Sequence, residues 1–301
     1  MLKRIGYACI NTSLKPKKFS DCRLNSVYKY GINYLRDKII NNLKLTKEIL
    51  NWNINNGIFM YRVTSKLLPL VTHPDLLNDF KWRWTEDEDI LKLMEDVKDI
   101  VKKNNIRLSM HPDQFTVINS LNEKVVENSI INLQYHYEVL SRLGGTDMII
   151  HTGGVYGNKS AAMERFIKTY NSLDNNIKKY LRLENDDKSY TLADVLYINS
   201  KTSVPVVLDI HHHVCNNNKE MDIKKEINKV VDSWTETELI PKLHISSGKE
   251  GKYDKRHHDY IKEEDMMSLL DLMENIDFDL MVEAKMKEKA VLKIKDFLNL
   301  K

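Results

Sequence analysis

Residues 181–213 read LRLENDDKSYTLADVLYINSKTSVPVVLDIHHH, and their pattern sets the fold. Leu181-Arg-Leu-Glu184 is a short apolar run closing on an acid, and Val204-Pro-Val-Val-Leu-Asp209 is a second. Between them, residues 191–202 carry apolar side chains at helical spacing. Short runs rich in Val, Ile, Leu and Met fit strands buried on both faces of a parallel sheet, joined by a crossover helix. Working outward, six more such runs lie at 4–9, 57–63, 106–110, 147–151, 241–245 and 278–283. Helices are predicted at 31–55, 86–104, 121–143, 160–179, 220–233 and 263–275. Thr85 precedes Glu86-Asp87-Glu88-Asp89 in the manner of a helix cap.

This alternation, repeated eight times, predicts an α/β chain folded as one (β/α)8 TIM barrel domain over residues 1–301. A doubly wound open sheet is the alternative. Against it, Gly6-Tyr7-Ala8-Cys9 stands where that fold would carry its glycine-rich fingerprint. Residues 67–81 read as a long loop.

Composition narrows the function. The 301 residues are 42% hydrophobic and 30% charged, with only 10 Gly and 6 Pro, which excludes collagen-like and disordered chains. No apolar run approaches the ~18 residues of a membrane span, so no membrane partner is expected. The N-terminus lacks the features of a secretory signal. Three cysteines, Cys9, Cys22 and Cys215, fit a reduced cytoplasmic compartment, and Cys9 and Cys215 read as small packed residues. The net charge of +3 means that an anionic partner would be held by local basic patches or by bound metal. The run Lys15-Pro-Lys-Lys18 is one such patch, with a solvated loop as the plainer reading.

A barrel of this kind gathers its functional side chains at the C-terminal ends of the strands. The third run ends at His111, the fourth at His151, the fifth at Glu184 and the sixth at Asp209, followed by His211-His212-His213. The seventh holds His244, with His257-His258-Asp259 in the loop beyond, and the eighth ends at Glu283. Taken singly, His111 is a hydrogen-bonded structural histidine, residues 211–213 a solvated loop, and Glu184 and Glu283 partners of Arg182 and Lys285. Taken together, acids and imidazoles ending six apolar strands indicate divalent metal, which turns repelling carboxylates into ligands. His136, inside a predicted helix, falls outside this set and reads as packing or surface. Lys242 and His244 share the inward side of their strand by alternation. The glycines of His151-Thr-Gly-Gly154 let backbone or substrate approach closely.

Seven of these motifs occur in an order that resembles the UV damage endonuclease family from about residue 4 to 288. They are Gly6-Tyr7, Ser109-Met-His-Pro-Asp-Gln114, His151-Thr-Gly-Gly154, Leu183-Glu-Asn-Asp186, Val207-Leu-Asp-Ile-His-His212, Lys242-Leu-His244 and Met281-Val-Glu-Ala-Lys285. The resemblance implies a DNA repair endonuclease that nicks immediately 5′ of UV photoproducts in double-stranded DNA. It also implies up to three divalent ions, manganese by expectation, and no nucleotide cofactor. Glu184, Asp209, His244 and Glu283 would hold one ion. His111 and His151 would hold a second with Glu184 bridging, and His212 with His257 a third. The Arg256-His-His-Asp-Tyr260 loop leaves His257 and His258 as alternatives, and Asp259 as a further contributor. His73 would line the site.

By the same resemblance, Tyr7, Lys242 and Glu184 would be catalytic, while Asn11, Gln114 and Phe115 would meet the lesion. Phe115 stands where the family pattern has Tyr, so ring stacking rather than a hydroxyl would carry its role. The expected state is a cytoplasmic monomer, associated with the nucleoid when acting on DNA. Two rivals are a sugar isomerase or epimerase on the same metal-bearing barrel, and a non-catalytic metal- or DNA-binding module.

Overall fold

The computed structural model describes residues 1–14, 17–216 and 221–300. Lys15 and Pro16, half of the basic run noted above, and the start of the helix expected at 220 lie outside them. Eight parallel strands close in sequence order: β1 (Leu2–Ala8), β2 (Met60–Val63), β3 (Arg107–Met110), β4 (Asp147–His151), β5 (Leu181–Glu184), β6 (Val206–Asp209), β7 (Lys242–Ile245) and β8 (Phe278–Val282). Pairing of β1 with β8, from Leu2 opposite Phe278 to Tyr7 opposite Val282, shuts the barrel and excludes the open sheet.

Twelve helices follow in chain order: α1 (Leu24–Tyr30), α2 (Ile32–Asn55), α3 (Pro74–Asp79), α4 (Glu88–Lys103), α5 (Glu123–Arg142), α6 (Lys159–Ser172), α7 (Asn175–Tyr180), α8 (Leu192–Thr202), α9 (Ile210–Cys215), α10 (Ile223–Asp232), α11 (Glu263–Leu272) and α12 (Glu288–Phe297). Their apolar stripes and the outward faces of the strands form the main core, with Leu35, Ile39, Leu43, Ile49 and Leu50 of α2 all buried.

Local chemistry explains where expectation and structure part. The cap of α4 is Asp87, whose side chain accepts from Ile90 N, while Thr85 sits in a short 3-10 turn. The single helix expected at 160–179 breaks because Leu173 turns extended and Asp174 caps a fresh start. Within the loop expected at 67–81, His73 and Pro74 begin α3. The histidines at 211–213 are not a solvated loop: they lie in α9, with His211 and His213 buried.

Inward-facing residues alternate along each strand. On β3, β4 and β8 they run Arg107, Ser109, then His111; Asp147, Ile149, then His151; and Asp279, Met281, then Glu283. On these three strands charge fills the lower position, uncharged side chains the middle, and candidate ligands the upper rim. The lower layer is a self-contained ion network. Asp147 takes Arg107 at 2.8 Å, Arg182 at 2.9 Å and Lys242 Nζ at 3.2 Å, and Asp279 takes Arg107 and Arg4. Trp234 lies under it, its ring 5.0 Å from the guanidinium of Arg107 and 5.2 Å from that of Arg182.

Candidate metal centre

The upper rim is built by strand ends and the first turns beyond them. Glu184, at the end of β5, is buried at its centre. His244 Nδ1 lies 2.9 Å from Glu184 Oε1, while His111 Nε2 and His151 Nε2 stand 3.5 and 3.8 Å from Oε2. Asp209 ends β6 and caps α9, accepting His212 N at 2.7 Å through Oδ1, which leaves Oδ2 for the rim. Asn185 clamps the two strand ends, its side chain bonded to both Asp209 N and Asp209 O.

Three groups of potential ligand atoms result, each within 4.8 Å: His111–His151–Glu184, Glu184–His244–Glu283 and Glu184–Asp209–His212. All share Glu184. Four buried atoms on these residues lack a hydrogen-bond partner among the described residues: Glu184 Oε2, Asp209 Oδ2, His151 Nδ1 and His244 Nε2. Buried acceptors are seldom left so. Carboxylate oxygens and imidazole nitrogens of this kind fit a divalent cation.

Backbone carbonyls orient two of the rings. His212 Nδ1 pairs with Asn185 O at 2.9 Å and His111 Nδ1 with Pro112 O at 2.8 Å, which turns His111 Nε2 toward Glu184. The electrostatics are those of crowded acids and imidazoles. Burial works against charge on Glu184, but the imidazoles of His244 and His151 outweigh it and hold the carboxyl well below its ordinary range. Burial likewise opposes charge on His212, yet Asp209, Glu184 and Glu283 carry it up to about 9. Burial pushes His151 down, which favours the neutral, ligating form.

Other expected residues fall elsewhere. His257 belongs to none of the three groups; its ring meets His211 edge-on, with centroids 6.2 Å apart. It still lies near enough to Glu283 to help lower that carboxyl, whereas His258 Nδ1 is engaged with the Tyr260 backbone. Asp259 is exposed, and His73 caps α3. Lys242 faces inward as alternation requires, but its Nζ lies in the lower layer on Asp147, so it does not reach the rim. Tyr7 points outward instead, buried against α2, with its hydroxyl donating to Asn53 Oδ1 and accepting from Asn11. Asn11 is buried too and shapes the β1–α1 turn by accepting Ser13 N and Leu14 N. Gln114 and Phe115 are exposed on the loop after His111, so Phe115 does not pack beneath it.

The partners suggested for the acids also differ. Arg182 serves Asp147, and Glu283 is held by Arg62 Nη1 at 2.5 Å. Arg62 takes its inward position by alternation, two residues beyond Met60 on β2, and no motif in the sequence marks it. Gly153, at φ +108°, makes room for Asn119 Oδ1, 2.3 Å from where a Cβ would sit, so its close approach is to protein. His136 is buried, with Nδ1 at 2.8 Å from Asn132 O. Cys215 Sγ does meet an imidazole, His211 Nε2 at 3.6 Å, but burial raises the thiol pKa and the same nitrogen faces Asp254 O.

A closed parallel barrel with acids and imidazoles converging above its strand ends defines a TIM-barrel protein with a candidate metal site. More particularly, the chain belongs to the UV-endonuclease UvdE family, whose sequence profile matches residues 3–301. A UV DNA damage endonuclease of Bacillus thuringiensis subsp. konkukian (strain 97-27) is 38% identical over 263 residues, covering 86% of this chain and 81% of the relative. The namesake from Bacillus cereus (strain B4264) is 37% identical over the same length. The crystal structure of SacUVDE superposes with a TM-score of 0.87 at 32% identity, covering 99% of both chains. Endonuclease IV from Thermus thermophilus, at 14% identity and TM-score 0.57 over 84% of this chain and 94% of that one, shares the fold. No helix among the described residues is long and apolar enough to cross a membrane.

Proposed function

We propose that this protein is a metal-dependent endonuclease that nicks duplex DNA immediately 5′ of UV photoproducts. The observation that carries the reading is the convergence of three groups of potential ligand atoms on the buried Glu184, in a chain of this family. Glu184, His244 and Glu283 would hold one ion, His111 and His151 with Glu184 a second, and Asp209 with His212 a third, with His257 adjoining. Bound divalent metal, manganese by our reading, supplies Lewis acidity and lowers the pKa of water at the scissile phosphate.

The protein's own residues supply position. Asn185 and the α9 cap fix Asp209 and His212, the Pro112 carbonyl turns His111, and Arg62 holds Glu283. Tyr7 and Lys242 act from behind the rim, Tyr7 by holding Asn11 and the β1–α1 turn, and Lys242 by neutralising Asp147. Gln114 and Phe115 enter the duplex at the lesion, where unstacking costs least. We further propose a monomer that works in the cytoplasm at the nucleoid.

The test is incubation of the purified protein and Mn2+ with irradiated and intact supercoiled plasmid. Relaxed circles from irradiated plasmid alone are expected, and chelation should abolish them. Equal treatment of both plasmids, or turnover of ketoses instead, would overturn the reading. The double change Gln114→Ala, Phe115→Ala should weaken binding to irradiated duplex at wild-type metal content. Unchanged discrimination would remove the wedge.

A further inference from the structure

The loop between β7 and α11 forms a stiff hairpin. Gly248 and His257 bridge antiparallel, Lys249 N donates to Arg256 O at 2.8 Å, and His258 N donates to Ser247 O at 2.8 Å. Gly248 is obligatory there, because a Cβ would sit 2.0 Å from Gly251 O. The Asp254 carboxylate knots the tip, accepting from Glu250 N at 3.1 Å and from Arg256 N and Nε at 3.0 Å each.

The hairpin is also fastened to the site. Its base carries His257, whose ring meets that of His211 edge-on at 6.2 Å, and the Asp254 carbonyl meets His211 Nε2 at 2.9 Å. Lys255 Nζ lies 3.5 Å from Asp187 on the loop after β5. That loop forms one wall of a groove whose other wall is the 111–117 loop bearing Gln114. At the hairpin tip stands Tyr253, 70% exposed. Among the described large hydrophobic side chains only Phe115, at 75%, is more exposed. The two most exposed such rings are therefore carried by segments on opposite sides of this groove, Phe115 by the 111–117 loop itself and Tyr253 by the hairpin that Lys255 ties to Asp187. Lys249 and Lys252 beside Tyr253 are exposed and have no acidic partner among the described residues.

We propose that Tyr253 is a second DNA-contacting aromatic, stacking on a base of the damaged duplex on the flank opposite Phe115, with Lys249 and Lys252 on neighbouring phosphates. This inference rests on the nuclease reading above. A ring on a rigid hairpin loses little freedom when it stacks, and stacking tolerates any base sequence. Phosphate contacts from lysines position the duplex without reading it.

The test uses the full chain and a labelled irradiated duplex, with Ca2+ in place of Mn2+ during binding. Tyr253→Ala should raise Kd about tenfold, a loss within the range of base–aromatic stacking. Tyr253→Phe should stay within twofold of the parent, since the ring is kept. Lys252→Ala should lower the slope of log K against log salt by about one. All three should keep parental metal content and melting temperature. In nicking assays with Mn2+, Tyr253→Ala should raise KM and leave kcat unchanged. A Tyr253→Ala protein that binds irradiated duplex as the parent does would overturn the inference and leave the nuclease reading standing. A parent that ignores irradiated DNA would overturn both.

Discussion

The barrel holds two buried charged layers, and they are built on opposite plans. The lower one matches cations to anions: Arg107, Arg182 and Lys242 converge on Asp147, and Arg107 and Arg4 on Asp279. Lys242 Nζ and Asp279 Oδ1 lack well-aligned hydrogen bonds there, but each belongs to a group paired with opposite charge. The upper layer gathers Glu184, Asp209 and Glu283 with four imidazoles, and Arg62 is its only permanent cation among the described contacts. Burial of charge is common to both, so burial alone does not mark a site. Convergent carboxylates outnumbering their permanent cations, with imidazoles set among them, do.

The largest effect should come from the acid common to all three upper groups. Glu184→Gln keeps volume and removes the charge, so metal content should fall and nicking should drop about a thousandfold or more. Retained metal with full nicking would erase the distinction between the layers. Next comes the lower layer. Asp147→Asn strands Arg107, Arg182 and Lys242, and should cost about 3–5 kcal/mol in denaturant unfolding, with metal content unchanged in the folded fraction. A protein as stable as the parent would show that the lower network is dispensable.

His136 tests a buried ionisable group belonging to neither layer. Burial holds its imidazole at about 4, below the ordinary range. Between pH 6.5 and 4 the unfolded chain therefore takes up a proton that the folded chain refuses. Stability should decline as pH falls through that window, by up to about 3 kcal/mol, and His136→Gln should flatten the decline. At neutral pH that variant should nick normally. The smallest effect is expected at Asn185, which touches the upper layer only through backbone and ring contacts. Asn185→Ala leaves Asp209 N and O without the side-chain partner and should cost about 2 kcal/mol, with metal affinity about tenfold weaker. Unaltered metal affinity would limit the clamp to a stability role.

Much of this was legible in the residues because barrel strands have little freedom. Runs such as Asp147–His151 and Leu181–Glu184 are short and keep apolar side chains such as Met148, Ile150, Leu181 and Leu183 on their outward face, so a terminal His or Glu stands out against them. Side-chain reach was less legible. Lys242 shares its strand face with His244, yet a single step along the strand carries it into another electrostatic layer. Tyr7 is set outward by the same alternation, one position from Gly6. His212 was expected with His257, but helix α9 turns it toward Asp209, and no local spacing announces a helix of six residues. Helix α12 is the least announced of the helices. Lys287 precedes it at φ +49° without a side-chain cap, so its start carries no capping signal.

The Asp209 cap has a consequence for the economics of assembly. An ordinary N-cap bond ties the acid to the amide of His212, three residues on, and the ring is tied in turn to the Asn185 carbonyl. Acid and imidazole thus form one prefabricated jaw whose opening is set by helix geometry rather than by an arriving ion. Because these bonds form as β6 passes into α9, the ordering entropy of this half of the rim is settled during folding. An incoming cation would then meet a shape already waiting, and its affinity would report its own dehydration more than any rearrangement of the protein.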